Sequence, residues 1–288
     1  MADADNKEGE DDMRGPAILA RTMSIPTVRG RSTRPWQYHS RSDSHSKVAC
    51  WAVLFDLMRE CDVFRSAVSE GRIGFGINYV IVGPINKTLD LVVTRVPPTR
   101  PGGPRGSFVD LANEWGIALN DEERQELADM PTLLRESSND IAEIAIALEA
   151  KACMTEHVKS LPRLHAEILA TGYLTKRAAP QCISVSYSLV NAASDFVTPS
   201  GESRVNSHDQ PDDARRVVEM IERAIPTLTE SRDYGYDVVG VTVVSCRNDG
   251  SAVTIVQNNT IGPAPNQHHH YERMIRSLCS QFRGRFGR

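Results

Sequence analysis

Apolar positions along the chain change period several times, and each change marks an element. Val48, Trp51, Ala52, Phe55 and Met58 recur at helical spacing, which predicts a helix over 46–61 with Ser46 as its cap. Two β-rich runs follow, at 77–82 and 88–96, joined by Gly83-Pro84-Ile85-Asn86 as a hairpin turn, with Gly74 and Gly76 marking bends before them. A Pro/Gly loop covers 97–106. The stretch 107–138 reads as helical, interrupted near Gly116 and Pro131, with Asp121-Glu122-Glu123 placed where a helix dipole favours negative charge.

Residues 144–151, Ile-Ala-Ile-Ala-Leu-Glu-Ala-Lys, form an apolar strand ending in two charges. A helix over 155–171 follows, with Thr155 as cap and Pro162 as a kink, and then an alternating strand over 181–190. After a polar loop at 200–213 come a helix at 213–228, a β-branched strand at 237–246, an Asn248-Asp249-Gly250 turn into 252–257, and a helix from His268.

This order predicts an α/β fold, a central mixed β-sheet flanked by helices, as one domain over 46–288. Residues 97–140 are its helical insertion and 213–288 a C-terminal helix-hairpin-helix extension. Residues 1–45 read as an arm outside the domain. It is acidic and disordered over 1–12, then basic, with Arg29, Arg31 and Arg34 among Trp36, Tyr38 and His39. Basic residues interleaved with aromatics suit phosphate contact; the competing reading is a solvated linker.

Composition changes the picture little. Of 288 residues, 40% are hydrophobic and 24% charged, enough for a substantial core without a metal or disulfide staple. The net charge of -4 excludes a uniformly basic coat but not a local basic surface. The six cysteines include no Cys-x-x-Cys pair, and several lie in apolar segments, so the expectation is free thiols in a reducing, cytoplasmic setting. No apolar run reaches the roughly 18–20 residues of a membrane span, and the acidic N-terminus is no signal peptide.

Chemistry concentrates at the strand 144–151. Glu149 and Lys151 share one side of a period-2 strand, with Ala150 turned away. Charge on the inner edge of an apolar strand is costly unless paired or used. With Asp90 on an earlier strand, Glu149-Ala150-Lys151 resembles the site of the PD-(D/E)xK nuclease superfamily, and the helix-hairpin-strand-helix-strand order over 46–190 resembles its restriction-endonuclease-like core. Two departures stand out: Leu89, not Pro, precedes Asp90, and the long interval to Glu149 requires the insertion.

The resemblance implies a Mg²⁺-dependent DNA endonuclease of the type II restriction or phage-defence kind, working as a homodimer with one or two Mg²⁺ per site. Asp90, Glu149 and the backbone carbonyl of Ala150 are then the metal ligands, and Lys151 the residue beside the scissile phosphate. His157, Lys159 and Asn191 follow as candidate nucleic-acid contacts, and Ser184, Ser186 and Ser188 as residues that could line the site. His268-His269-His270 reads as a solvated helix start, and Arg283, Arg285 and Arg288 as a frayed tail. The alternatives are an ordinary strand-end ion pair, and a non-catalytic nucleic-acid-binding or assembly protein with a nuclease-like fold.

Overall fold

A computed structural model describes residues 13–28, 34–82, 85–95, 106–136, 143–199, 204–224 and 235–287. Arg29, Arg31, Arg288, residues 1–12, the Gly83-Pro84 turn and the loop at 96–105 lie outside the described residues.

In chain order the elements are α1 (Gly15–Met23), β1 (Thr27–Val28), β2 (Pro35–Trp36), α2 (Ser44–Glu60), α3 (Asp62–Ser69), β3 (Ile73–Ile81), β4 (Lys87–Arg95), α4 (Phe108–Glu114), α5 (Asp121–Asp129) and β5 (Glu143–Cys153). Then come α6 (His157–Ala178), β6 (Ile183–Asn191), β7 (Asp195–Val197), β8 (Val205–Ser207), α7 (Asp212–Ala224), β9 (Val238–Ser245), β10 (Thr254–Ile255) and α8 (Tyr271–Phe286).

A six-stranded mixed sheet in the order β10-β9-β6-β5-β4-β3 forms the centre. β3, β4 and β5 run as an antiparallel meander. β6 lies parallel to β5, reached through α6, and β9 lies parallel to β6, reached through α7. Parallel strands need such crossovers, which here share one face; helices on both faces of the sheet leave β6 buried at every position. α1, α2 and α8 pack on one face, and α6 and α7 on the other, over Val239, Val241 and Val243.

Two sequence expectations are corrected and a third is sharpened. Residues 15–23 are not part of an arm: α1 packs Ile18 and Leu19 into the core against α2. Its first turn is held by Asp56 of α2, whose carboxylate accepts Arg14 N–H at 3.1 Å and Gly15 N–H at 2.8 Å. Asp56 is therefore fully buried, and burial pushes its pKa up to about 6 despite both backbone donors. A Cβ at Gly15 would stand 2.1 Å from the Tyr271 hydroxyl, so only glycine fits this approach.

Residues 213–288, expected as a helix-hairpin-helix extension of the same domain, contribute two strands to the central sheet itself. β9 is an interior strand, because a β-branched run buried on both faces needs a neighbour on each edge. The six cysteines are not all free thiols: Cys61, just after α2, is joined to Cys279 of α8 as a disulfide, with Cα atoms 5.5 Å apart.

Smaller differences have local causes. Gly74 lies inside β3 rather than at a bend, and a side chain there would run into Glu136. Ser46 lies within the first turn of α2 rather than capping it, donating to Asp43 O at 2.9 Å. α6 runs through Pro162 without ending, and Thr155 bonds His208 and Asn206 instead of capping it. No helix among the described residues is long and apolar enough to cross a membrane.

Candidate active site

β4 and β5 stay paired only as far as Leu91 and Leu148. Beyond that point the Asp90 side chain takes up a backbone bond, its Oδ2 accepting the Ala150 N–H at 2.9 Å. On the other flank of β4, between the pairs Ile77–Leu91 and Tyr79–Leu89, Asn78 stands opposite Asp90 with φ +50°, a conformation uncommon for a residue with a side chain. The irregularity falls where the strand must part from its neighbour.

β5 does not end at the charges, as the sequence pattern suggested, but continues to Cys153. Glu149 and Lys151 therefore lie within the sheet, in register with Ser186 and Ser188 of β6. Glu149 is buried, at 4% exposure. Its Oε1 accepts two ammonium groups, Lys151 at 2.5 Å and Lys87 at 2.8 Å. Its Oε2 is buried with no hydrogen-bond partner, as are the hydroxyls of Ser186 and Ser188. Glu167 of α6 closes the far side, 3.8 Å from Lys151.

The electrostatics follow from this crowding. Burial, then the neighbouring Glu149 charge, pushes Asp90 up to about 6, against the pull of Ala150 N–H, Ser46 and Lys151. For Lys151, burial acts to lower the pKa, but Glu149, Glu167 and Asp90 together outweigh it and hold it above the ordinary lysine value. Lys151 is thus an ammonium at neutral pH.

The donor set fits a hard divalent cation. Two carboxylates interact, one with a buried unpartnered oxygen and one whose ionisation is resisted by the other, and Mg²⁺ needs only one or two carboxylates because it keeps its waters. The contact recorded at Ala150 is through its N–H to Asp90, not the carbonyl proposed as a ligand. Among the described residues the one cluster of three metal-ligand side chains is Cys61, Asp62 and Cys279, whose cysteines are tied up in the disulfide.

The outlying candidates separate cleanly. Asn191 is fully buried, and its side chain donates to Met154 O and Cys246 O and accepts from Ala193 N and Cys246 N. His157 is buried against His208, its Nε2 2.7 Å from Asn191 O. Both are ties within the fold rather than nucleic-acid contacts, because a strand end buried between elements must satisfy its backbone groups internally. Lys159 is exposed and paired with Glu156, and Arg34 is exposed.

Ser184 bonds Gly235 O and Asp237, not the site. Asp237 is also paired with Lys176 and Arg285, so Arg285 is a structural residue rather than part of a frayed tail. His269, expected to be solvated, is buried, and burial lowers it to about 4. Sequence reasoning missed Lys87. Its one legible signal is a cation opening the strand that carries Asp90.

Comparison with protein-family models, with curated proteins and with solved structures finds no match to this chain.

Proposed function

We propose that the chain is a Mg²⁺-dependent DNA endonuclease of the PD-(D/E)xK type. Asp90 and Glu149 hold the cation, and Lys151 with Lys87 meets the phosphate. The observation that carries this reading is the Asp90–Ala150 bond, which brings a carboxylate from 60 residues away to the Glu149-Ala150-Lys151 segment at the point where two strands part. The succession α2-β3-β4-β5-α6-β6, with a meander followed by a parallel strand, supports the same core.

A bound divalent cation supplies charge stabilisation at phosphorus and eases deprotonation of water. Lys151, kept protonated by three carboxylates, acts as a fixed positive charge and hydrogen-bond donor toward a phosphoryl oxygen, not as a base. Lys87 supplies a second positive charge on the same oxygen of Glu149. Cutting both strands of a duplex calls for two such sites, hence a homodimer, acting as a restriction or phage-defence enzyme.

One observation favours the second reading, a nucleic-acid-binding or assembly protein without catalysis: Glu149 Oε1 is already neutralised by two lysines. Plasmid and phage DNA incubated with and without Mg²⁺, beside Lys151→Ala, separates the two. Mg²⁺-dependent fragments that vanish in the variant support the enzyme. Intact DNA that is nonetheless bound by both proteins supports the binder.

A further inference from the structure

Beyond Lys151 the end of β5 borders a cleft of about 660 Å³, lined there by Ala152 and Cys153. One wall is the first two turns of α6, with Lys159 and Arg163. The other is the β7–β8 hairpin, with Phe196 and Arg204, and Tyr38 forms an aromatic side of the cleft. The charged lining is three cations against one carboxylate, Glu156, on a chain whose net charge is negative.

The cleft is joined to the site by an unbroken line of charge. Glu167 lies 3.8 Å from Lys151 on one side and 3.7 Å from Arg163 on the other. α6 starts at the cleft without a side-chain cap, so the positive end of a 22-residue helix adds to the field. A volume of this size suits a single ligand unit rather than a duplex. Cations on two walls match the phosphate of a nucleotide.

We propose that this cleft is a strand-binding subsite, which takes one nucleotide of a single DNA strand next to the phosphodiester held at Asp90, Glu149 and Lys151. The assignment rests on the nuclease reading for that neighbouring phosphodiester. Arg163 and Arg204 meet the phosphate. The strand enters locally unpaired.

The test is fluorescence anisotropy with a labelled single-stranded 16-mer and the matching duplex, in EDTA so that nothing is cut. The proteins are wild type, Arg163→Ala/Arg204→Ala, Ser40→Trp, and Arg215→Ala/Arg223→Ala as a control on α7. Ser40 is an exposed residue at the cleft, so tryptophan there blocks the space without removing charge.

The expected result is tighter binding of the single strand by wild type and at least a tenfold loss in both cleft variants. For the arginine pair the slope of log K against log salt also flattens by about 1.4, two phosphates at ~0.7 each for a single strand. The α7 control should bind as wild type. Cleft variants that bind within twofold of wild type, at unchanged slope, overturn the subsite while leaving the nuclease reading intact if wild type still cuts DNA. Wild type that binds neither strand form overturns both.

Discussion

Asp90 and Ala150 are joined by a side-chain-to-backbone hydrogen bond of 2.9 Å across the gap between β4 and β5. A carboxylate there replaces a ladder carbonyl, so negative charge is held in the plane of the sheet beside a second buried carboxylate, Glu149. Burial and Glu149 together resist ionisation of Asp90.

Asp90→Asn keeps an oxygen for Ala150 N–H and removes the repulsion. In EDTA at neutral pH this variant should be more stable than wild type by about 1–2 kcal/mol, as is common when a functional charge is removed. Mg²⁺ should raise the melting temperature of wild type and leave that of the variant unchanged. Thermal melts with and without Mg²⁺ measure both; equal Mg²⁺ responses in the two proteins would remove Asp90 from the cation site.

Asp56 gives the fold a pH dependence of definite sign. Burial raises its pKa to about 6 in the folded chain, above its unfolded value of about 3.9. A raised carboxylate contributes stability that is full below about pH 4 and is lost as pH rises through about 6, an effect of at most about 3 kcal/mol. Urea unfolding at pH 4.5 and 7.5 should therefore show a smaller difference between the two pH values in Asp56→Asn than in wild type. The same pH difference in both proteins would contradict the assignment.

Lys176 and Asp237 form a buried ion pair that ties α6 to the start of β9, and Ser184 and Arg285 add bonds to the same carboxylate. Lys176→Met leaves Asp237 with Arg285, whereas Asp237→Ala strands a buried ammonium. Removing one member of a buried pair typically costs about 3–5 kcal/mol. Denaturant titration should place Asp237→Ala in that range and Lys176→Met below it; the reverse order would mean that Arg285 carries little of the load.

Asn191→Ala removes bonds to Met154, Ala193 and Cys246 at once. Several buried backbone groups left unpaired should cost about 2–4 kcal/mol. DNA affinity, measured per folded molecule, should not change. A variant that is stable but binds DNA weakly would restore Asn191 as a nucleic-acid contact.

The Cys61–Cys279 link closes 218 residues of chain. On chain entropy alone, closing so long a loop is worth about 5 kcal/mol. Alkylation of the unfolded protein should label four cysteines without reductant and six with it, read by intact mass, and Cys279→Ser should melt lower than wild type. Six labels without reductant would restore the reading of free thiols.

The sequence by itself determined what short-range backbone geometry controls. Strand and helix periods placed the core elements of the sheet to within a few residues, and a period of two put Glu149 and Lys151 on one side. Tertiary structure decided everything that depends on what covers what. It brought Lys87 to Glu149 and Asp90 to Ala150, and buried His157 and Asn191, which as isolated polar residues looked free to meet a ligand. It also folded α1 onto α2, so that Asp56 became a buried cap, and joined Cys61 to Cys279. The physical reason is that periodicity reports which positions share a face. Whether that face meets water, a charge or another helix is set by residues tens or hundreds of positions away, and no local pattern encodes their approach.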